Sequence, residues 1–155
     1  MKLRVVALGQ RMPAWVNAGW DDYARRMPRE FALELVLLKP EPRDRGKPVL
    51  QLLAAEALRI MAACKNARVV ALDERGQPWT TRNLADSLSR WRDEACDIAF
   101  VIGSADGLDP SVKREASAIV ALSALTLPHG LVRVLVAEQL YRAASLLARH
   151  PYHRE

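Results

Sequence analysis

Residues 68–102 read RVVALDERGQPWTTRNLADSLSRWRDEACDIAFVI, and this stretch decides the fold class. The apolar runs at its two ends, residues 68–72 and 98–102, have the length and composition of buried strands. Residues 73–79 predict a turn, and Thr80 is a good N-cap for a helix over residues 83–94. A strand, a helix and a second strand in this order predict two parallel strands joined by a crossover helix.

The same alternation continues on both sides of this unit. Further strands are predicted at residues 2–8, 31–38 and 118–122. Helices are predicted at residues 13–27, 49–65 and 129–149, with a short one opened by Asp109-Pro110. Five β/α alternations without a repeat or a linker predict one α/β domain over residues 1–155 with a mainly parallel sheet.

The composition excludes several classes of protein. Half of the residues are apolar and 26% are charged, which excludes a disordered or fibrous chain. The longest charge-free stretch, residues 116–132, is broken at Pro128-His129-Gly130 and is too short to span a bilayer, so no membrane association is expected. The amino terminus lacks the features of a secretory signal, which predicts a cytoplasmic protein. Cys64 and Cys96 are isolated in sequence and predict neither a disulfide framework nor a metal site.

Positive charge is concentrated in the first half of the chain. Residues 1–72 carry 13 Lys and Arg against 7 Asp and Glu, whereas residues 73–155 carry 10 against 11. Lys39 to Pro48 forms a loop with three prolines and four basic side chains, and we expect phosphate contacts there. A pI near 9.6 favours a polyanionic partner such as RNA.

In open α/β sheets ligands bind beyond the carboxyl ends of the strands, so a ligand site is expected at the loops after Leu72, Ile102 and Leu122. The loop after Ile102 reads Gly103-Ser104-Ala105-Asp106-Gly107. Its glycines permit close approach of a ligand, and the helix that follows could receive an anion, although an ordinary strand-to-helix turn explains the same residues.

The segment Leu122 to His129 is apolar but carries hydroxyl groups. This composition suits a buried loop whose backbone groups bind a flat heterocycle such as adenine. The alternative is one long strand over residues 118–127.

The last helix and the C-terminal tail concentrate polar groups. Glu138, Tyr141, Arg142, Ser145 and Arg149 form a stripe on the helix, which is either functional or merely solvated. All three histidines lie in the last 27 residues, and the tail, residues 150–155, reads HPYHRE. A phenol, an imidazole and a guanidinium in a row can stack on a base, move a proton and hold a phosphate, whereas the alternative is a frayed end.

Residues 125–143, LTLPHGLVRVLVAEQLYRA, and the C-terminal tail resemble the bacterial RlmH family. The resemblance extends over the whole chain. The resemblance also includes residues 1–8, Met12-Pro13-x-Trp15-Val16, Tyr23-x-Arg25-Arg26 and Arg45-Gly46-Lys47. It implies a SPOUT-type methyltransferase fold with a C-terminal trefoil knot over about residues 98–155. It further implies methylation of N3 of a pseudouridine in helix 69 of 23S ribosomal RNA, on the ribosome, with S-adenosylmethionine as donor.

The resemblance also implies which residues form the site. The donor is expected against Leu72, Gly103, Leu122, Ser123, Ala124, Leu125, Thr126 and Leu127. A homodimer is implied in which the tail of one subunit completes the site of the other, with Arg142, Tyr152, His153 and Arg154 holding and activating the nucleotide. The family usually has Gly-Gly-Pro-Glu-Gly where this chain has Gly103-Ser104-Ala105-Asp106-Gly107. Contacts from the middle three positions of the family loop therefore do not carry over, and the property that this difference affects is the affinity for the donor.

Two questions stay open at this stage. The N3 proton can be taken by His153, or the imide anion can be stabilised by Arg142 and Arg154. The chain could also be a non-catalytic ribosome-assembly module with the same fold, or an α/β protein that binds another small nucleotide.

Overall fold

The computed structural model describes residues 1–9, 11–44 and 46–154 and confirms the α/β class. In chain order the main elements are β1 (Lys2–Leu8), α1 (Ala14–Arg26), β2 (Ala32–Leu38), α2 (Val49–Ala63), β3 (Arg68–Pro78), α3 (Thr81–Asp93), β4 (Ile98–Ile102), α4 (Pro110–Glu115), β5 (Ala118–Ala121) and α5 (His129–Leu147). Short 3-10 turns lie at Arg29–Phe31 and Pro151–Arg154. Arg45 of the basic loop and Glu155 of the tail, both part of the predictions above, lie outside the described residues.

The five strands form one parallel sheet in the order β2-β1-β4-β3-β5. Helices cover both faces of this sheet. Trp20, Leu88 and Leu140 from α1, α3 and α5 belong to the core on one face, and Ile60 and Val112 from α2 and α4 belong to the core on the other. Because both faces are covered, the central strand β4 is buried at every residue, as its apolar sequence predicts.

Two N-caps fix where helices begin near the carboxyl edge of the sheet. Thr80 forms a reciprocal capping box with Asn83: the Asn83 backbone N–H donates to Oγ1 of Thr80, and the Thr80 N–H donates to Oδ1 of Asn83. Asp109 accepts from the Ser111 N–H at 2.9 Å, and Pro110 occupies the first turn of α4. Both predicted helix starts are therefore close to the observed ones.

The predicted turn at residues 73–79 is wrong, because strand β3 continues through it to Pro78. Leu72 and Gln77 both align with Val120 of β5, so residues 73–76 bulge out of the ladder before pairing resumes. Gly76 permits this bulge, because a Cβ atom there would lie 2.7 Å from the backbone of Ile119 and Val120. The residues typical of a turn are thus used to bend a strand.

The alternative of one long strand over residues 118–127 is also wrong. Strand β5 ends at Ala121, and the following residues lead to α5 as an irregular loop. Within the described residues no helix is long and apolar enough to cross a bilayer. The trefoil knot stays a prediction.

Candidate functional site

A pocket of about 470 Å³ lies at the carboxyl ends of β3, β4 and β5, and we call it the strand-end pocket. Its size is within the range of small-molecule sites. The predicted donor residues that line it are Leu72, Gly103, Leu122, Ser123, Leu125, Thr126 and Leu127. Ala124 belongs to the same loop but is exposed and does not line the pocket. The structure therefore brings together three loops that are far apart in sequence.

One wall of the strand-end pocket is the apolar loop at residues 122–127. Leu122 and Leu125 are 37% and 75% exposed, so within one chain this is not the buried loop that its composition suggests. The loop is turned by a side-chain hydrogen bond, in which the Leu125 N–H donates to Oγ of Ser123 at 2.9 Å. An apolar ligand surface would cover these leucines from water.

The opposite wall is the loop after β4. A tight turn closes it, with the Gly107 N–H donating to the Ser104 carbonyl oxygen at 2.9 Å. A Cβ atom on Gly103 would lie 2.5 Å from the Gly107 carbonyl oxygen, so only glycine permits this approach of backbone to backbone. The Gly103 position thus shapes the pocket wall directly.

Two carboxylates from the β3 bulge give the pocket an acidic side. Asp73 pairs with Lys113 at 2.7 Å, and although burial opposes it, Lys113 lowers the pKa of the Asp73 carboxyl. Glu74 lies 3.5 Å from Oγ1 of Thr126 across the pocket. Carboxylates at the ends of β-strands commonly accept hydrogen bonds from ribose hydroxyls.

His129 and Arg133 lie one turn apart at the start of α5, where His129 is half-buried and Arg133 is fully buried. Arg133 is 1% exposed, donates from Nη2 to the Gly9 carbonyl oxygen at 2.6 Å, and has its pKa lowered by burial. Nε2 of His129 is buried, and no hydrogen-bond partner for it lies among the described residues. Burial, and then the charge of Arg133, lower the pKa of His129, so a neutral imidazole borders the pocket.

This pKa shift predicts a pH dependence of stability. Because the pKa of His129 is lower in the folded chain than the usual 6.5, the unfolded chain binds more protons below that value, and stability falls as the pH falls. We expect the free energy of unfolding to decrease less between about pH 7.5 and about pH 5.5 in His129→Gln than in the original chain. Urea unfolding at both pH values measures this, and an equal decrease in both proteins would contradict it.

The predicted nucleotide-handling residues form a separate cluster at the far end of α5. Arg142 donates from Nε to Oε1 of Glu138 at 2.7 Å, and the Tyr152 hydroxyl donates to the same oxygen at 3.1 Å. The Arg142 guanidinium lies 4.9 Å from the centre of the Tyr152 ring, which itself lies 4.6 Å from the Tyr141 ring. Burial and the neighbouring Tyr23 and Glu138 raise the pKa of Tyr152, so its hydroxyl keeps its proton.

These contacts decide between the alternatives that the sequence leaves open for the tail and for the polar stripe on α5. Residues 151–154 form a 3-10 turn packed against α5, so the tail is not frayed there. The polar stripe on α5 is not merely solvated, because Ser145 is buried and donates to the Arg142 carbonyl oxygen at 2.7 Å. Nδ1 of His153 is buried without a hydrogen-bond partner among the described residues, whereas Arg154 is exposed.

Within one chain the described part of the tail, residues 150–154, does not line the strand-end pocket. His129 borders the pocket at the start of α5, and Arg142 follows 13 positions later, which is about 20 Å along a helix. The described residues lining the pocket include no arginine, lysine or tyrosine. The predicted donor residues and the predicted nucleotide-handling residues therefore stand at opposite ends of one helix.

A second pocket, of about 630 Å³, opens beside the first one and shares Ser104, Ala105 and His129 with it. Its outer wall belongs to the basic loop and includes Lys39 and Arg43. We call it the basic-loop pocket. A ligand with a negative backbone could lie here while one part of it enters the strand-end pocket.

Sequence reasoning missed the buried charges Glu56 and Arg133, and it found His129 only as the last residue of the apolar segment 122–129. Glu56 stands among the buried residues of α2 and Arg133 among those of α5, which places a charge on an apolar helix face. A charge at such a position is rarely buried without a partner, and this is the signal that could have identified both residues. For metal ions, the described part of the chain holds no suitable group of three His, Cys, Asp or Glu side chains.

A parallel α/β sheet with a pocket of glycine and apolar loops at its carboxyl edge defines an α/β protein whose candidate ligand site lies where open sheets of this class bind their ligands. The family model described as "Predicted SPOUT methyltransferase" matches residues 1–153, and the chain belongs to this family. The sequence is 57% identical to the Ribosomal RNA large subunit methyltransferase H of Nitrosospira multiformis and 54% identical to that of Paraburkholderia xenovorans, over 99% of each chain. The family expected from the sequence is thereby confirmed.

Solved structures support the same fold. A probable methyltransferase from Bordetella pertussis Tohama I matches with a TM-score of 0.61 at 23% identity, over 92% of this chain and 95% of that one. A probable methylase family protein from Haemophilus influenzae Rd KW20 matches with a TM-score of 0.58 at 18% identity, over 97% of this chain and 69% of that one. The SPOUT-type fold is confirmed.

Proposed function

We propose that the protein transfers the methyl group of S-adenosylmethionine to N3 of a pseudouridine in helix 69 of 23S ribosomal RNA, within the ribosome. One observation carries the proposal: the loops expected to hold the donor, which are distant in sequence, line one pocket at the carboxyl edge of the sheet. The full-length relatives named as ribosomal RNA methyltransferases support the choice of substrate. Because the substrate is ribosomal RNA, the proposed place of action is the cytoplasm.

The chain's own residues fit the donor. The apolar loop at residues 122–127 offers an adenine ring both surface and backbone groups, and Gly103 lets the facing wall fold back tightly onto Gly107. Asp73 and Glu74 supply carboxylate oxygens for ribose hydroxyls and for the positive sulfonium. When bound, the donor supplies an electrophilic methyl group on sulfur, whose bonding pair returns to sulfur as the N3–C bond forms.

The nucleotide needs groups that the strand-end pocket of one chain does not offer. The N3 proton must leave, and the charge that develops on the imide needs a cation or a hydrogen-bond donor. Arg142, Tyr152, His153 and Arg154 have this chemistry, but none of them lines the pocket, and Arg142 lies about 20 Å from His129 along α5. We therefore propose a homodimer in which the tail of one subunit completes the pocket of the other.

The decisive experiment is transfer of labelled methyl from S-adenosylmethionine to ribosomes that lack this modification, with the product nucleoside identified by mass spectrometry. The expected product is a pseudouridine methylated at N3 in helix 69. Donor binding without transfer to ribosomes, subunits or free RNA would instead support a non-catalytic assembly module. Failure to bind either donor or ribosome would point to another small nucleotide as ligand.

The basic loop gives a prediction for RNA binding. Lys39 and Lys47 are proposed phosphate contacts, and each contact contributes about 0.7 to 0.9 to the slope of log Kd against log salt. The double variant Lys39→Gln/Lys47→Gln is expected to bind the RNA more weakly at low salt and to lower that slope by about 1.5. Titration of labelled ribosomal RNA at several salt concentrations measures both quantities.

A charge-matched control exists at the other edge of the sheet. Lys2 begins β1 and Lys65 follows α2, so both lie near the amino-terminal ends of the strands, away from the pocket. Lys2→Gln/Lys65→Gln has the same net charge as the loop variant and is expected to keep the slope nearly unchanged. Equal slopes for the two double variants would remove the basic loop from the proposed interface.

A further inference from the structure

Arg43, in the basic loop, connects three side chains, of which Ser104 and Asp106 belong to the loop after β4 and Ser104 lines the strand-end pocket. Its Nη2 atom lies 2.7 Å from Oε1 of Glu56 and 2.8 Å from Oγ of Ser104. Its Nε atom donates to Oδ2 of Asp106 at 3.3 Å. Ser104 in turn lies 3.3 Å from Oε1 of Glu56, so the four side chains form one hydrogen-bonded network.

The network is anchored in the interior of the protein. Glu56 is 1% exposed, and its other oxygen, Oε2, has no hydrogen-bond partner among the described residues. A buried carboxylate is strongly destabilising without a cation, and Arg43 is the cation that the structure places against it. The Glu56 carboxylate raises the pKa of the Arg43 guanidinium, which keeps the charge in place. The ion pair with Glu56 thus holds the Arg43 guanidinium firmly in place.

The other side of the network is the loop that the family usually builds as Gly-Gly-Pro-Glu-Gly. In this chain Ser104 supplies a hydroxyl that glycine does not have, and Asp106 supplies a carboxylate on a shorter side chain than glutamate. Both of these side chains bind Arg43. The loop that departs from the family sequence is therefore attached to Arg43 through its own side chains, Ser104 and Asp106.

We propose that Arg43 is a positioning residue of the strand-end pocket, which fixes the loop from Gly103 to Gly107 in its donor-binding shape by joining Ser104 and Asp106 to the buried Glu56. This inference rests on the proposed function, since it assigns the donor to this pocket. Arg43 acts through the loop and does not itself touch the donor. The network replaces the stiffness that proline gives to the usual loop.

The test is a double-mutant cycle on donor affinity, measured by isothermal titration of S-adenosylmethionine. The anchor variant is Arg43→Met/Glu56→Gln, which removes both charges together and leaves no unpaired buried carboxylate. The loop variant is Ser104→Ala/Asp106→Ala, which removes the two attachments and keeps the backbone. Each variant is expected to raise Kd about tenfold, since charge-assisted hydrogen bonds order the wall.

The combined variant distinguishes positioning from general destabilisation. If the network acts as one unit, all four substitutions together raise Kd by no more than either pair alone, and kcat at saturating donor is retained. Arg59→Met is the control, because Arg59 binds Glu41 and the Lys39 carbonyl oxygen of the same loop but not Ser104 or Asp106. Its donor affinity is expected to equal that of the original chain.

Other outcomes would overturn the inference in distinguishable ways. An unchanged Kd in the anchor variant, or effects of the two pairs that simply multiply, would show that Arg43 does not position the loop. The original chain is the reference for the larger proposal. If it bound no S-adenosylmethionine, the proposed function and this inference would fail together, whereas normal binding by both the original and the anchor variant would overturn the inference alone.

Discussion

Replacing Gly103 by alanine is expected to raise the Kd for S-adenosylmethionine by on the order of tenfold to a hundredfold, because overpacking of this kind costs about 1 to 3 kcal/mol. The new Cβ atom would lie 2.5 Å from the carbonyl oxygen and 2.7 Å from the carbonyl carbon of Gly107. These are backbone atoms, which cannot rotate aside as a side chain can. The turn must therefore open, and the pocket wall moves with it.

Isothermal titration with the donor measures the effect, and thermal unfolding shows whether the fold is kept. Gly107→Ala is the matched control in the same turn, because a Cβ atom there has no neighbour within 4 Å, although the backbone φ of +89° carries strain. We expect Gly107→Ala to affect donor binding less than Gly103→Ala. A Gly103→Ala protein that binds the donor as tightly as the original chain would exclude this loop from the donor site.

The fold could be predicted because its signals are local. The apolar run of β4 and the Thr80 cap of α3 each depend on a few neighbouring residues, and the alternation of strands and helices then requires a parallel sheet. The β3 bulge could not be predicted in this way. Residues 73–78 have turn composition, and only pairing with β5, more than forty positions later, keeps them in the sheet.

The position of the strand-end pocket could be predicted for a related reason. Ligands bind beyond the carboxyl ends of parallel strands, so three strand assignments were enough to bring Leu72, Gly103 and Leu122 to one place. The network of Arg43, Glu56 and Ser104 depends on contacts across 13 to 61 positions. Nothing in the local pattern near Arg43 reveals which carboxylate it meets, so this part of the site required the structure.

The distance between the pocket and the tail leads to the second large effect. If the tail completes the pocket of the partner subunit, Arg154→Ala and Gly103→Ala remove different halves of the same composite site. Arg154→Ala alone is expected to methylate ribosomes about a hundredfold more slowly, because loss of one transition-state charge partner costs about 2.7 to 4 kcal/mol. Gly103→Ala alone is expected to be slower, when the donor is limiting, by roughly the factor of its lost donor affinity. Mixed dimers of the two variants, however, contain one pocket with Gly103 and one tail with Arg154 that face each other.

After random exchange of subunits between equal amounts of the two variants, about half of the dimers are mixed, and each mixed dimer has one intact site out of two. The activity should therefore return to about a quarter of the original value. The measurement is methyl transfer at a donor concentration near KM, after the mixed subunits have been unfolded and refolded together. As a control, the double variant Gly103→Ala/Arg154→Ala mixed with the original chain gives one intact tail and one intact pocket on the same subunit, so its mixed dimers should be inactive. The original homodimers that form in this control leave about a quarter of the original activity. If the tail instead served its own subunit, the control would retain about half of the original activity, and the mixture of single variants would remain inactive because each of its subunits carries a defect.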